Sequence, residues 1–371
     1  MQIEHFKIFA QCAPGIECVT KEELIRCGVG QLHILSGGVE FEGDFALLMK
    51  AALHIRTASR LLIRLAHFPA YNLKQLALRA MQQVTWDQFL TVQDRIFIKT
   101  TCHASTIYHT QAASERVQQS ACTAVSCIPA KSPNDATATI FVRIDHDRCT
   151  ISIDATGPLH QRGYRQETGK APLRETWAAA VLLLAGWDGS RPLFDPMCGS
   201  GTFPIEAACM AAGIPPGRMR TFPFFNWPIF DFTVWENLVA DADAHVRPVS
   251  VPILGADRDP GVIHAASRNA QRAGVASWVS FECRPISATP PINGPGLLVC
   301  NPPWGLRIGE RRLLRDLYAT LGHIARKNVP QLDVALLTPH TYLARETQLP
   351  FEKPAMMFPS GGTRVFVFLK K

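Results

Sequence analysis

A short apolar strand, a glycine-containing loop and a helix follow one another over residues 193–213, and this arrangement constrains the fold more than any other feature of the sequence. The strand runs directly into Asp195-Pro-Met-Cys-Gly-Ser-Gly-Thr202. Gly199 and Gly201 let the backbone turn sharply and leave room for a ligand against bare peptide. Thr202 is expected to cap the helix, whose free N–H groups then face the loop. The sequence therefore predicts a ligand-binding loop at a strand end.

Alternating strands and helices continue from Pro192 to the end of the chain and predict an α/β fold with a doubly wound, mostly parallel sheet. The predicted strands of this half are 193–194, 252–256, 278–283, 296–300, 333–337 and an antiparallel last strand at 364–369. The first half mixes short β-like runs with helices, which is typical of an α+β domain. We predict two domains, residues 1–160 and 161–371, which a chain of 371 residues easily accommodates.

Composition narrows the class of protein further. No run of about 18 uncharged apolar residues occurs, and Glu4 and Lys7 interrupt the N-terminal segment, so we expect a protein that neither crosses a membrane nor is exported. The 11 cysteines contain no CxxC pair or histidine partner that would complete a zinc set. We expect reduced thiols, a cytoplasmic location and no metal. The oligomeric state is not predicted.

The glycine loop does not match the loops that bind phosphates. No lysine follows Gly201, and Pro204 stands where a dinucleotide loop has its third glycine. The remaining DxxxGxGT pattern suits S-adenosylmethionine, whose amino-acid end is a zwitterion. Asp195 would face its ammonium, and the rest of the loop would hold its carboxylate. The predicted cofactor contacts in the loop are Asp195, Pro196, Cys198, Gly199, Ser200, Gly201 and Thr202. The alternative is an ordinary glycine turn.

A second acidic strand end lies at Asp257. A carboxylate at the end of the second strand can accept hydrogen bonds from ribose hydroxyls. Asp257 is therefore a candidate cofactor contact, with Arg258 or Asp259 near the adenine. Asp259 is also the expected N-cap of a helix that starts at Pro260.

The sequence Asn301-Pro302-Pro303-Trp304 follows an apolar strand and points to a specific chemistry. An exocyclic amine on a base is a poor nucleophile because its lone pair is delocalised into the ring. If the Asn301 side-chain oxygen and the Pro302 carbonyl each accept one N–H, the lone pair is directed at a methyl donor. Trp304 offers a face for stacking a flipped base. The catalytic candidates are Asn301, Pro302 and Trp304; the alternative is a proline-rich turn with a core tryptophan.

Basic residues suggest a polyanionic partner. The net charge is +7, and residues 51–100 hold seven Lys and Arg against two acids. Beside a catalytic motif, such a bias favours nucleic acid. The predicted nucleic-acid contacts are Arg56, Arg60, Arg64, Lys74, Arg162 and Arg165.

At these motifs the chain resembles the THUMP-domain class I RNA methyltransferases, specifically the bacterial group that methylates guanine N2 in large-subunit ribosomal RNA. The resemblance runs almost end to end. It includes Phe9-Ala-Gln-Cys-Ala-Pro-Gly-Ile-Glu17, Gly37-Gly-Val-Glu-Phe-Glu-Gly43, Leu53-His-Ile-Arg-Thr-Ala-Ser-Arg60 and the segment from Ile153 to Arg165. It implies a ferredoxin-like and THUMP half that captures RNA, followed by a Rossmann-like methyltransferase domain.

The chain departs from the family pattern at two positions. Trp304 stands where the family usually has tyrosine, a change that preserves stacking. Arg284 and Pro285 occupy the region in which family members often carry an acid that meets the adenine amino group, so we expect weaker cofactor binding. The aromatic run Phe222–Trp227 resembles a family segment and is expected to serve mainly as an apolar cover.

Three alternatives remain at the level of sequence. Asn-Pro-Pro-Trp specifies a hydrogen-bonding pattern and not a ring, so the acceptor could be an amine of adenine, cytosine or a glutamine side chain. The RNA could be tRNA instead of 23S ribosomal RNA. A catalytically weak RNA-binding ribosome-assembly factor is the third alternative.

Overall fold

The chain folds into two β-sheets with helices packed against them. The computed structural model describes residues 5–167, 173–305, 311–360 and 362–370. An eight-stranded sheet is built from residues 6–154, and a seven-stranded sheet from residues 193–370. Within the described ranges, no helix is both long and apolar enough to cross a membrane.

The first sheet is mixed, with the strand order β2-β3-β1-β4-β8-β7-β5-β6. Its strands are β1 (Phe6–Gln11), β2 (Leu32–Leu35), β3 (Gly38–Gly43), β4 (Arg60–Pro69), β5 (Arg95–His103), β6 (Ile128–Pro129), β7 (Ala138–Asp145) and β8 (Arg148–Asp154). Antiparallel pairing of β4 with β8 joins the two halves of this sheet. The sequence predicts strands in this half at 6–10, 33–35, 38–41, 61–66, 95–100, 139–144 and 149–154. Seven of the eight strands overlap these runs, and the two-residue β6 was not predicted.

Four helices cover this sheet: α1 (Glu17–Arg26), α2 (Phe45–His54), α3 (Leu73–Gln83) and α4 (Thr110–Val125). Asp44 caps α2 by accepting a hydrogen bond from Leu47 N at 2.7 Å, and Asn72 caps α3 in the same way. The apolar sides of the helices and the buried face of the sheet form one core, which includes Ile8, Phe41 and Leu48. The predicted α+β character of the first half is therefore confirmed.

The second sheet has the strand order β11-β10-β9-β12-β13-β15-β14. In this sheet β15 runs antiparallel to both of its neighbours, β13 and β14, and the other neighbouring strands are parallel. Its strands are β9 (Leu193–Asp195), β10 (Ile253–Asp257), β11 (Ser280–Cys283), β12 (Gly296–Cys300), β13 (Leu332–Thr338), β14 (Met356–Ser360) and β15 (Thr363–Lys370). The predicted parallel sheet and its antiparallel last strand are confirmed, whereas β14 was not predicted. The strand order reverses between β9 and β12, which is where α/β sheets bind ligands.

The helices of the second half are α5 (Glu175–Leu184), α6 (Thr202–Ala212), α7 (Phe232–Ala244), α8 (Pro260–Arg272), α9 (Arg311–Lys327) and α10 (Thr341–Glu346). Asp259 caps α8 by accepting from Gly261 N at 2.8 Å, as predicted. The prediction that Thr202 caps α6 was wrong. Gly201 occupies the cap position in a left-handed conformation, which Thr would adopt only with strain, and Thr202 is the first helical residue.

Side chains pack across the predicted domain boundary near residue 160, from each half into the core of the other. The aromatic run Phe222–Trp227, predicted to be an apolar cover, packs against the core of the first sheet. The Trp227 ring centroid lies 5.0 Å from that of Phe89 and 6.0 Å from that of Phe45. In return, Ile16, just before α1, packs into the core of the second sheet. The two halves therefore share apolar surface.

Candidate active site

The glycine loop lies at the carboxyl end of β9, as its position between a strand and a helix predicts. Cys198 N donates to Ala256 O at 2.9 Å, and Gly201 N donates to Cys198 O at 2.9 Å. A Cβ at Gly199 would meet nothing within 4 Å, whereas one at Gly201 would meet Ala266 and Phe281 at 3.0 Å. Gly199 thus faces open space, and Gly201 allows the loop to lie tightly on α8.

Asp195 ends β9 with its side chain in the interior. The residue is 1% exposed, and its Oδ1 accepts a hydrogen bond from Met197 N at 3.1 Å. Burial, opposed by that hydrogen bond and reinforced by the neighbouring charge of Asp257, raises the pKa of Asp195 well above its usual range. A cationic group of a ligand beside this carboxyl would lower the free-energy cost of ionising it. An ammonium group is such a cation.

Asp257 lies at the end of β10, the strand that pairs with β9. Its Oδ2 accepts from Gly199 N at 3.0 Å and its Oδ1 from Asp259 N at 3.1 Å. These bonds fix the carboxylate beside the loop, and its remaining lone pairs can accept hydrogen bonds from a diol. Arg258 follows on the exposed side of the turn. The structure therefore brings the two predicted acidic strand ends to one edge of the sheet.

Asn301 and Pro302 follow β12, which pairs with β9 on the other side. The Asn301 Oδ1 atom is buried, and no described residue donates to it. Pro302 is buried, Pro303 is exposed, and Trp304 is partly buried against the core of the second sheet. A buried acceptor without a donor is uncommon in a native fold and indicates a missing hydrogen-bond partner.

One contributor to the loop was not identified from the sequence. Asn269 on α8 is fully buried, and its Nδ2 donates to Ser200 O at 3.1 Å and to Glu167 O at 2.9 Å. It therefore ties the glycine loop to the segment that leads into this domain. The signal was present, because Asn269 interrupts the otherwise apolar buried face of α8 formed by Ile263, Ala266 and Ala270.

Arg284, which stands where the family often has an acid, bends across the end of the sheet. Its backbone N donates to Asp257 O at 2.9 Å, and its Cζ lies 5.7 Å from the centroid of the Phe194 ring. Its Nη1 pairs with Glu282, while Nε and Nη2 are buried without a partner among the described residues. A cation thus borders the cofactor edge of the sheet where an acid was expected.

Of the predicted RNA contacts, Arg162 lies inside the molecule and Arg56 is half-buried beside it, and the prediction is corrected for both. Arg162 is 3% exposed, and its guanidinium donates to Leu159 O at 2.8 Å and to Arg56 O at 2.6 Å. Arg56 donates to Ile214 O at 2.5 Å. These groups connect the first domain to the segment after α6. They are occupied by protein carbonyls, so RNA phosphates do not reach them.

The other predicted RNA contacts differ in how exposed they are and in whether they are already paired with an acid. Arg165 donates to Glu175 Oε2 at 2.7 Å and is mostly buried beside the start of α6. Arg60 is paired with Asp154, and Arg64 with Glu40 at 3.2 Å. Lys74, on α3, is exposed. The structure therefore does not gather the six basic residues into one patch, and Lys74 is the best placed of them to meet a phosphate.

The strand order, the glycine loop and the acidic strand ends together define a class I methyltransferase. The family model described as an RMKL-like methyltransferase domain, UPF0020, matches residues 162–349, and the model described as the RlmL ferredoxin-like domain matches residues 7–62. The chain belongs to the RMKL-like methyltransferase family. Residues 7–62 accordingly form a ferredoxin-like domain, and the methyltransferase domain has the Rossmann-like fold.

Individual relatives agree over nearly the whole chain. A protein from Synechocystis sp., named as a candidate RNA methyltransferase, is 34% identical over 86% of this chain and 85% of its own length. A Listeria monocytogenes structure described as a predicted N6-adenine-specific DNA methylase is 28% identical, with a TM-score of 0.86 over 98% of this chain and 96% of that one. The candidate methyltransferase SMU.472, solved with S-adenosylhomocysteine, is 26% identical, with a TM-score of 0.87 over 99% and 98%.

S-adenosylmethionine is the cofactor of this domain, and the residues present fit it. The open side of Gly199 accommodates a ligand against the peptide. The buried Asp195 carboxyl suits the ammonium, and the fixed Asp257 carboxylate suits the ribose hydroxyls. The Asn301 oxygen, to which no described residue donates, lies just after the adjacent strand, β12.

We expect Asp195→Asn to weaken binding of S-adenosylhomocysteine about 10- to 100-fold, because a hydrogen bond to a charged group contributes roughly 1.5–3 kcal/mol. The binding form of Asp195 is the carboxylate, and its pKa is raised, so wild-type affinity should fall as the pH is lowered through that raised pKa. Calorimetric titration from pH 5 to 9 measures both effects. Asp188→Asn, in an exposed turn, is the matched control. Unchanged affinity in Asp195→Asn would contradict the assignment.

Proposed function

We propose that this protein transfers a methyl group from S-adenosylmethionine to the exocyclic N2 amine of a guanine in RNA, most specifically 23S ribosomal RNA. The observation that carries the proposal is the buried Asn301 Oδ1, to which no described residue donates, at the end of the strand that pairs with β9. An acceptor in this position is suited to an N–H group of the substrate. The name of the Synechocystis relative supports RNA as the substrate, and such a substrate implies a cytoplasmic location.

Asn301 and Pro302 would act by orienting the amine. When bound, S-adenosylmethionine would supply a methyl group that is electrophilic because a sulfonium carries it. The sulfur would leave as a neutral thioether. The Asn301 Oδ1 and the Pro302 carbonyl each accept one N–H of the amine, which turns the nitrogen lone pair toward the methyl carbon. Transfer would replace the S–C bond with an N–C bond, and the surplus proton on nitrogen would leave to water. No residue is required as a general base before transfer.

Trp304 would hold the base in place. It is partly buried against the core of the second sheet, so its position is fixed by packing. Stacking of a base on an aromatic ring contributes on the order of 1–3 kcal/mol and compensates for part of the cost of extruding the nucleotide. The residues 306–310 that follow are not among those described.

The first half would capture the RNA. We propose that its second part, residues 63–154, is a THUMP module, joined to the ferredoxin-like segment by β4, which begins in that segment and pairs with β8. Lys74 is a proposed phosphate contact on its surface, and binding should weaken as salt increases. The shared packing at the domain junction would hold this surface at a fixed distance from the glycine loop.

The same geometry also fits adenine N6, because an adenine amine offers the same two N–H groups to Asn301 and Pro302. The description of the Listeria structure favours this as the second candidate. Transfer to tRNA instead of ribosomal RNA is the alternative that leaves the chemistry unchanged. An RNA-binding assembly factor without turnover is distinguished by the absence of any product.

The experiment that tests the proposal identifies the methylated nucleoside. Purified protein is incubated with radiolabelled S-adenosylmethionine and, in separate reactions, unmodified 23S ribosomal RNA, tRNA and DNA, and the digested products are separated. Asp195→Asn serves as the background control. Label in N2-methylguanosine from 23S RNA supports the proposal, whereas label in N6-methyladenosine would transfer support to the adenine candidate. Cofactor binding without label in any fraction would indicate the assembly factor.

A further inference from the structure

Three side chains with metal-binding atoms meet at one end of the first sheet, far in sequence from the glycine loop. His103 ends β5, and Asp145 ends β7 directly beside it in the parallel register of the two strands. His146 follows in the turn between β7 and β8, where His146 and Asp147 both have positive φ values. The backbone N of His146 donates to His103 O at 3.2 Å. Main-chain pairing therefore holds all three residues at one edge of the sheet.

The side chains converge on a single oxygen atom. The Nδ1 atom of His103 lies 3.0 Å from Asp145 Oδ1, and the Nδ1 atom of His146 lies 2.9 Å from the same oxygen. One potential ligand atom from each residue can be chosen so that all of them lie within 4.8 Å of one another. Metal–ligand bonds of about 2.0–2.2 Å place the ligand atoms roughly 3–3.5 Å apart around one ion. The distances from the two imidazole nitrogens to the shared carboxylate oxygen are already close to this range.

Arg143 determines which carboxylate oxygen is available. Its Nη2 donates to Asp145 Oδ2 at 2.9 Å, on the opposite side of the carboxylate from the two imidazoles. This bond orients Oδ1 toward the histidines, in the way that hydrogen bonds around metal sites orient the ligands. The guanidinium charge also opposes a cation, so the affinity should be modest. Both histidines are about three-quarters exposed, so an ion can enter without opening the fold.

We propose that His103, Asp145 and His146 form a surface site for a divalent transition-metal ion such as Zn²⁺ or Co²⁺. Two imidazoles and one carboxylate are a ligand set that suits such ions, and three protein ligands leave positions for water. The ion takes the place of the hydrogen atoms that otherwise bridge each Nδ1 to Asp145. The site is independent of methyl transfer. The sequence predicts no metal because 42 residues separate His103 from Asp145, and no short spacing pattern joins them.

Cobalt titration of the full-length, metal-free protein without an affinity tag tests the proposal. Visible absorption and calorimetry should show one equivalent bound in the wild type, and at least about tenfold weaker binding in His103→Gln and His146→Gln. The matched control is His67→Gln, because His67 is also an exposed histidine of the first sheet that bonds a side chain through Nδ1. Circular dichroism checks that every variant is folded.

The proposal is overturned by any of three results. The first is equal affinity in the wild type and His146→Gln. The second is a thiolate-to-cobalt charge-transfer band, which would assign the ion to some of the free cysteines. The third is the absence of saturable binding up to about 1 mM cobalt, a limit that corresponds to roughly 4 kcal/mol of binding free energy.

Discussion

Asn301→Ala is expected to lower the rate of methyl transfer by about 10²- to 10³-fold, with cofactor affinity changed by less than about twofold. The magnitude follows from removal of one positioned hydrogen-bonding group that acts on the reacting atom. Affinity is spared because the contacts assigned to the cofactor belong to Asp195, the glycine loop and Asp257. Single-turnover transfer to the RNA fraction that the wild type labels measures the rate, and calorimetry with S-adenosylhomocysteine measures the affinity.

Two further variants sharpen this prediction. Asn301→Asp retains an acceptor oxygen and should keep more activity than Asn301→Ala. Asn293→Ala removes an exposed asparagine in a loop of the same domain and should behave as the wild type. Retention of more than about one tenth of the wild-type rate in Asn301→Ala would show that the amine is oriented by other groups.

Arg162→Ala is expected to lower the free energy of unfolding by about 3–5 kcal/mol, because it removes the cation that pairs with the buried Glu206 carboxylate. Arg162 Nε lies 3.6 Å from Glu206 Oε1, and both side chains are almost fully buried. Two carbonyl groups of the junction also lose their donors. Urea unfolding followed by circular dichroism measures the change. Lys74→Ala, on the exposed surface of α3, should change stability by less than about 0.5 kcal/mol.

A double variant separates the buried charge from the lost packing. Arg162→Met combined with Glu206→Gln removes both charges and keeps an acceptor for Tyr164, whose hydroxyl donates to Glu206 at 3.0 Å. It should recover a large part of the stability lost in Arg162→Ala. If Arg162→Ala were instead as stable as the wild type but bound RNA less tightly, the original prediction of an RNA contact would be restored.

The sequence predicts the catalytic half well because its signals are local. The strand before Asp195 is a short apolar run, the glycine loop follows it at once, and Asp259 and Pro260 mark the next helix start. Each of these depends on residues within one turn or one strand. One exception, besides the unpredicted β14, is the cap of α6: the sequence does not show that Gly201 must lie against Ala266 and Phe281.

The basic residues were less predictable because burial of a charge depends on distant partners. Arginine is usually exposed, so Arg56 and Arg162 were assigned to a surface. The carbonyl that accepts from Arg56 belongs to Ile214, 158 residues away, and Glu206 follows Arg162 on a different element. The aromatic segment was predicted to be buried, yet the identity of the core that receives it, the first sheet, could not be predicted.

The sequence by itself determined the succession of strands apart from β6 and β14, the glycine loop, the acidic strand ends and the Asn-Pro-Pro-Trp turn, since each is specified by neighbouring residues. Tertiary structure alone decided three other features: the unpartnered oxygen of Asn301, the buried charges at the domain junction, and the meeting of His103 with Asp145 and His146. The physical reason is the same for all three. Desolvation and convergence depend on which segments the fold brings together, and no local pattern records that.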